Sequence, residues 1–363
     1  MKNEQKLDYF LNKVVVGDCI ESMKKIPDVS VDLVFADPPY FMQTDGVLRR
    51  TDGSEFKGVD DAWDKFADYA EYDAFSNAWL KECRRILKPS GAIWVIGAFQ
   101  NIYRLGYIMQ NIGFWILNDV IWSKRNAAPN FRGTRLQNAH ETLLWCSKSK
   151  NSRYTFNYQT MKHLNGGRQD KSVWDIGICI GAERLKNENG EKVHNTQKPE
   201  QLLYKVVMAS TKPGDIILDP FFGTGTTGAV AKRLGRNFIG LEMSREYTKA
   251  ALERIKRIKP SQNEIETKLT LEVKPPRVSV KQLIESGYLK SGEKLFDKAG
   301  NAKAKLTDAG YADDSTETLS IHKMAAKILR KANQNGWDYW YVNRDGKMKF
   351  INDFRYEYAE KNK

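Results

Sequence analysis

An α/β fold, with a mainly parallel sheet covered by helices on both faces and a smaller α+β domain behind it, is predicted by three observations. Short apolar runs rich in β-branched residues alternate with amphipathic stretches through the first two thirds of the chain. Two of those runs end in sharply punctuated turns, ADPPY at 36–40 and DPFFGTGTTG at 219–228. From Lys259 onward the texture changes to short mixed segments.

In chain order, KVVVGD (13–18) and VDLVFAD (31–37) read as strands, and YDAFSNAWLKECRRIL (72–87) as an amphipathic helix stopped by Lys88-Pro89-Ser90-Gly91. AIWVIG (92–97) is a strand, IYRLGYIMQNIG a helix ended by Gly113, and WILNDVIW (115–122) a strand. The alternation resumes with PEQLLYKVVMAS, a helix with Pro199 in its first turn. DIILD (215–219) is then a strand, TTGAVAKRLG a helix, NFIGLE (237–242) a strand, and SREYTKAALERIKRI a helix capped by Ser244. KPSQNE reads as a linker, which sets a boundary near residue 262 between domains 1–262 and 263–363. SIHKMAAKILRK (320–331) is the clearest helix of the second.

Composition narrows the function. The hydrophobic fraction of 41% supports a real core, and no stretch reaches the roughly 18 apolar residues of a membrane span. The polar start MKNEQKLDYFLNK lacks the apolar segment of a secretion signal, so the expectation is a cytoplasmic protein with no membrane partner. Four cysteines and four histidines are scattered without metal-ligand spacing, which predicts no metal site and no disulfide framework. The net charge of +13 is concentrated: residues 122–173 carry ten basic side chains against Glu141 and Asp170, a local +8. Phe131, Trp145, Tyr154, Phe156 and Tyr158 are interleaved with them, the composition of a nucleic-acid surface.

The turns carry the chemistry. Pro38-Pro39 cannot continue a ladder, so the chain stops at the strand's C-terminal edge with Asp37 and Tyr40 on a stiff turn, where open α/β sheets bind ligands. Gly223-x-Gly225-x-x-Gly228 matches the dinucleotide fingerprint in form, with Glu242 about 20 residues on where a ribose-binding acid belongs. A nicotinamide oxidoreductase is therefore one reading. Against it, the Asp219 carboxylate at that turn would repel a pyrophosphate and suits a ligand bearing an ammonium group.

DPPY followed much later by DPFFGTGTTG resembles the paired signatures of S-adenosylmethionine-dependent amino DNA methyltransferases in the permuted order called the β class. Over essentially its whole length the chain is similar to the CcrM-like adenine methyltransferases, a group that includes the HinfI modification enzyme. FADPPYFMQT, VDDAWDKF, NFRGTRLQNAHETLLW, NTQKPEQLL, SIHKMAA and NGWDYWYV carry the likeness.

The resemblance implies a Rossmann-like class I methyltransferase sheet in circularly permuted motif order, a target-recognition insert at about 123–190 and a small C-terminal DNA-binding α+β domain. It implies methyl transfer from S-adenosyl-L-methionine, without a metal, to N6 of a flipped-out adenine in double-stranded DNA, in GANTC. Relatives of this type also suggest a homodimer. The Asp37 carboxylate and the Pro38 carbonyl would accept the amine hydrogens, with Pro39 stiffening the turn and Tyr40 stacking on the base. For the cofactor it implies Asp219, Pro220, Phe221, Phe222, Gly223, Thr224, Gly225 and Thr226 around the methionine moiety and Glu242 on the ribose. Asp18 and Cys19 would lie at the adenine, and Thr196, Gln197, Lys198 and Pro199 near the amino-acid end. DNA contacts fall on Gln43, Leu48, Arg49, Arg50, Arg125, Arg132, Arg135 and Asn138, and in the last domain on Ser320, His322, Lys323, Trp337 and Tyr341. Phe41 is a departure, since some relatives carry Asn there. An N4-cytosine methyltransferase, which more often has Ser at position 37, and a catalytically silent DNA-binding protein remain the alternatives.

Overall fold

The alternating apolar runs assemble into one eight-stranded sheet in the first of two units. The structure, a computed structural model, describes residues 7–42, 48–49, 55–56, 64–130, 133–194, 196–265 and 276–362, and the chain divides into Met1–Glu272 and Val273–Lys363. Strands β1 (Lys13–Val16), β2 (Val31–Ala36), β5 (Leu87–Gly97), β6 (Trp115–Lys124), β7 (His140–Ser147), β8 (Val173–Ile176), β9 (Ile216–Asp219) and β10 (Asn237–Glu242) lie in the order β1-β10-β9-β2-β5-β7-β6-β8. A separate two-residue pair, β3 (Leu48–Arg49) with β4 (Glu55–Phe56), interrupts the sequence between β2 and β5.

The sheet is mixed rather than mainly parallel in its second half. β1, β10, β9, β2 and β5 are parallel neighbours, but β7 runs antiparallel to both β5 and β6. Strand β7, HETLLWCS, lies inside the stretch that charge had marked as an insert, so its apolar half was not read as a strand. Two boundaries also differ from expectation. Pro199 is the extended residue just before its helix, not part of the first turn. The helix ending at Ile86 passes directly into β5, and Pro89 sits where the β2–β5 register slips between Val31 and Leu33.

Helices cover both faces, which is why the central strands read as continuous apolar runs. Alternate residues divide between two cores. Leu33, Phe35, Trp94 and Ile96 pack with α5 (Glu200–Ser210), α6 (Thr226–Arg233) and α7 (Arg245–Arg257). Val34, Ala36, Ile93 and Val95 pack with α1 (Cys19–Met23), α2 (Tyr69–Ile86) and α3 (Ile102–Asn111). Helix α4 (Tyr158–Leu164) adds Met161 to the first core.

The second unit is α+β, as its sequence predicts. Strands β11 (Lys294–Phe296), β12 (Ala302–Leu306), β13 (Ala312–Asp313), β14 (Thr318–Leu319), β15 (Tyr341–Arg344) and β16 (Lys347–Phe350) form an antiparallel sheet in the order β14-β13-β12-β11-β15-β16. With α8 (Val280–Glu285), α9 (Ile321–Ile328) and α10 (Asp353–Lys361) it encloses a core that includes Leu283, Leu295, Met324, Trp340 and Val342.

The glycine-rich turn after β9 has a packing explanation. Phe222 is buried and stacked on Phe238, and a Cβ at Gly228 or Gly240 would stand 2.6 Å from its ring. The ring occupies the space those glycines leave open, so part of the fingerprint serves a phenylalanine and not a phosphate. Gly240→Ala is expected to cost about 1–3 kcal/mol through overpacking. A urea midpoint identical to that of the unsubstituted protein would refute this account.

Candidate active site

A cavity of about 650 Å³ opens at the C-terminal ends of the parallel strands, where the sheet's connections diverge. Its wall is built from the turns that leave β1 (Gly17 to Cys19), β2 (Asp37 to Tyr40), β9 (Pro220, Phe221, Gly223) and β10 (Glu242 to Ser244), with Thr196 to Lys198 closing one side. Strands β9 and β2 are paired directly, Leu33 with Ile217 and Val34 with Leu218. The two signature turns are therefore adjacent.

The ADPPY turn is held at several points. The Pro39 carbonyl accepts the Tyr72 hydroxyl at 3.0 Å and the Asn101 amide at 3.3 Å. The Asp64 carboxylate accepts three consecutive backbone N–H groups, those of Tyr40 (2.6 Å), Phe41 (2.7 Å) and Met42 (2.8 Å). Successive amides gathered on one anion form a nest, and here the anion is a buried side chain. Phe41 takes φ +53°, a left-handed conformation that costs a residue with a Cβ roughly 1–2 kcal/mol. Its ring is buried against Tyr72, Phe66 and Tyr69 and does not line the cavity. Asparagine adopts that backbone more readily.

Charges gather around Asp37. Its Oδ2 lies 2.6 Å from Lys198 Nζ, while its buried Oδ1 accepts no hydrogen bond among the described residues. Lys198 Nζ is also 4.0 Å from Glu141 Oε2 and 5.2 Å from the centre of the Tyr40 ring. Glu141 in turn binds Lys124 at 2.6 Å and accepts the Tyr40 hydroxyl at 2.9 Å. Burial raises the Asp37 carboxyl above the usual carboxylate range despite the opposing pull of Lys198. Burial also acts to raise Glu141, but Lys198 and Lys124 outweigh it and hold that carboxyl low. The Tyr40 phenol is pushed well up by burial and by both carboxylates, so it remains a donor.

The turn after β9 has used its own amides. Asp219 accepts Phe221 N at 3.0 Å and Thr227 Oγ1 at 2.6 Å, and Glu242 accepts Gly223 N and Ser244 N at 2.7 Å each. A pyrophosphate needs those N–H groups, so the geometry disfavours a dinucleotide. Burial raises Asp219 to about 7.

Comparison with known proteins gives the chain a family. A family model described as DNA methylase matches residues 31–253, and one described as Restriction Enzyme Adenine Methylase Associated matches 260–363. The chain is 60% identical over 356 residues to the Type II methyltransferase M.HinfI of Haemophilus influenzae, covering 98% of this chain and 99% of that one. The chain belongs to the DNA methylase family. It is 42% identical over 251 residues to the Type II methyltransferase M2.DpnII of Streptococcus pneumoniae, covering 68% of this chain and 91% of that one. Among solved structures, the cytosine-N4-specific PvuII DNA methyltransferase shares the fold with TM-score 0.54 at 22% identity, over 71% of this chain and 90% of that one. The M1.HpyAVI–SAM complex does so with TM-score 0.50 at 24% identity, over 67% and 98%.

The methylase is thus a DNA methyltransferase on an α/β sheet whose fold those structures share, one of them solved with S-adenosyl-L-methionine. The residues present fit that donor. Glu242, fixed by two amides, presents a carboxylate at the cavity wall suited to ribose hydroxyls, and Asp18, Cys19, Phe221 and Gly223 share the lining. The Cys19 thiol is pushed up to about 12, chiefly by burial, which leaves it a packing group.

Other expected residues fall elsewhere. Pro199, Asp219, Phe222, Thr224, Gly225 and Thr226 do not line the cavity; Pro199 precedes α5, and the others run from the end of β9 to the start of α6. Asn138 lines the cavity mouth, Arg125 is exposed in a loose pair with Asp175, and the Arg135 guanidinium lies 5.4 Å from the centre of the Phe99 ring. Gln43, Arg50, Phe131 and Arg132 lie outside the described residues, and Leu48 and Arg49 are described as backbone alone. The basic segment splits across the sheet. Because β7 runs away from the cavity, Lys148, Lys150, Arg153, Tyr154 and Phe156 follow its far end, where Ser147 pairs with Ala92 and Trp115.

In the second unit, Ser320 caps α9 through Lys323 N and His322 Nδ1 accepts Gly336 N at 2.9 Å. His322 itself is exposed and Trp337 is buried beneath the Arg355 guanidinium, while the Tyr341 ring packs against Phe350.

Sequence reasoning missed Asp64 and Glu141. Neither residue type carries a chemical pattern by itself; only the contact of Asp64 with the amides of Tyr40, Phe41 and Met42, and the place of β7 between β5 and β6, reveals them. Asp64→Asn retains the shape but loses the anion in the nest. It is expected to lower kcat roughly ten- to hundredfold by loosening the turn, with cofactor affinity within about twofold. Unchanged kcat in a methyl-transfer assay would remove Asp64 from that role.

Proposed function

We propose that the methylase transfers a methyl group to N6 of an adenine flipped out of double-stranded DNA, within GANTC. One observation carries the reading: a buried carboxylate oxygen, Asp37 Oδ1, stands at the cavity wall with no partner among the described residues. A buried acceptor without a donor is costly, and an exocyclic amine supplies the missing N–H. The Pro38 residue beside it also lines the cavity, and its carbonyl would take the second amine hydrogen. Two acceptors on one amine draw its lone pair out of the ring and fix its direction. Bound alongside, S-adenosyl-L-methionine supplies an electrophilic methyl on a sulfonium sulfur. Tyr40, tied by its hydroxyl to Glu141, offers its ring as a stacking surface held in one orientation.

The adenine choice and the GANTC site rest on the likeness to M.HinfI at 60% identity and on Asp at position 37. Extruding the base costs roughly a few kcal/mol, which DNA contacts must offset. Arg125 and Arg135, with Asn138, rim the catalytic edge, and an exposed pair such as Arg125–Asp175 contributes only about 0–1 kcal/mol and can be exchanged for a phosphate. We assign DNA contacts in the second unit to Ser320, His322, Lys323 and Tyr341. A homodimer and a cytoplasmic location follow from the resemblance and the sequence.

The test is methyl transfer from labelled cofactor to paired duplexes, one with GANTC and one with its adenine replaced, with product nucleosides identified by mass. N6-methyladenine in the intact site alone is expected. N4-methylcytosine would transfer the reading to the cytosine enzymes, and no product with DNA binding retained would favour the silent binder. Asp37→Ala is expected to abolish transfer with cofactor binding intact. Affinity for DNA should fall steeply with salt, and a flat dependence would contradict the basic rim.

A further inference from the structure

We propose that Lys198, anchored by Glu141, is a positioning residue that keeps Asp37 ionised and turns its Oδ1 toward the target amine. The proposal rests on the reading of Asp37 given above, and it assigns Lys198 a role distinct from the cofactor contact that the family resemblance implies.

The geometry supports this assignment at three points. Lys198 reaches Asp37 across 161 residues and occupies Oδ2, leaving Oδ1 as the oxygen without a partner among the described residues. A carboxylate bonded at neither oxygen would rotate freely about its last torsion; one held at Oδ2 presents Oδ1 in a single direction. The ammonium is itself confined. It sits between Asp37 and Glu141 with the Tyr40 ring 5.2 Å away, and the Lys198 backbone carbonyl accepts Thr226 Oγ1 at 3.3 Å. Glu141 cannot relax toward Lys198 alone, because Lys124 holds its other oxygen at 2.6 Å.

Charge balance explains the arrangement. A solitary buried carboxylate takes up a proton, and a protonated Asp37 would oppose a donor to a donor. Asp37 and Glu141 with Lys198 and Lys124 make a quartet with no net charge, which offsets the burial that raises the Asp37 carboxyl. The groups that act on Asp37 are Lys198, Glu141, the Tyr40 hydroxyl on its own turn, Asp219 on β9, and Lys124 behind Glu141. Lys198 favours the anion, and Glu141 by itself disfavours it.

The experiment is the pH profile of kcat for the full-length protein on a GANTC duplex, with S-adenosyl-L-methionine binding measured in parallel. Activity requires the Asp37 anion, so it falls as pH drops through the folded-state value for that group. Lys198→Met removes the favouring cation, and its acidic limb is expected to move up by about one pH unit, a roughly tenfold loss on that limb, with cofactor affinity within about twofold. Lys198→Arg is expected to restore the position of the limb. Glu141→Gln removes a like charge and is expected to shift the limb to lower pH, which keeps the proposal testable if the methionine variant does not fold. A limb unmoved in Lys198→Met and in Glu141→Gln would overturn the proposal, as would weakened cofactor binding with an unmoved limb. Asp37→Asn separates the two claims: activity there defeats the reading of Asp37, whereas an inactive Asp37→Asn with unmoved limbs defeats only the role of Lys198.

Discussion

The parallel pairing of β2 with β9 is the constraint on which the rest of the site depends. Each strand is short and apolar, and each ends in a turn its sequence cannot extend, Pro38-Pro39 in one and Pro220 with a glycine-rich bend in the other. Because the strands are neighbours in the same direction, both turns emerge at one edge. Residues about 180 positions apart thereby share a cavity, and the order of the motifs along the chain has no effect on the chemistry. Backbone pairing sets the separation of the turns, while helices on both faces keep the sheet from shearing.

Around that edge, acidic side chains serve as structural anchors more than as ligands. Asp64 collects three amides, Glu242 two, and Asp219 one amide and a hydroxyl. A carboxylate that accepts several N–H groups stiffens a turn without requiring a cation. The same choice blocks a phosphate from those amides, which is how a turn with the spelling of a dinucleotide fingerprint comes to serve a different donor. Asp37 differs: one of its oxygens is tied and the other open, the condition for a group that must act on a substrate.

Much of this was legible in sequence. Apolar runs, proline stops and the helix caps at Ser244 and Ser320 place most elements, because those signals are local. Strand β7 was not legible, since half of it carries polar and charged residues and it lies inside the basic segment. Gly228 could not be told apart from a phosphate-binding fingerprint glycine until the Phe222 ring was seen against it.

The sequence by itself determined the reaction class through the family resemblance that two turns carry, an acid, two prolines and a tyrosine at the end of one strand and an acid, aromatics and glycines at the end of another. Those are properties of adjacent residues, and adjacency is what a sequence records. Only the tertiary structure decided which oxygen of Asp37 is open, that Lys198 faces Asp37 and not the cavity alone, that Asp64 holds the turn, and that the basic segment is divided between two edges of the sheet. Each depends on contacts between segments separated in the chain, and such contacts leave no local signature.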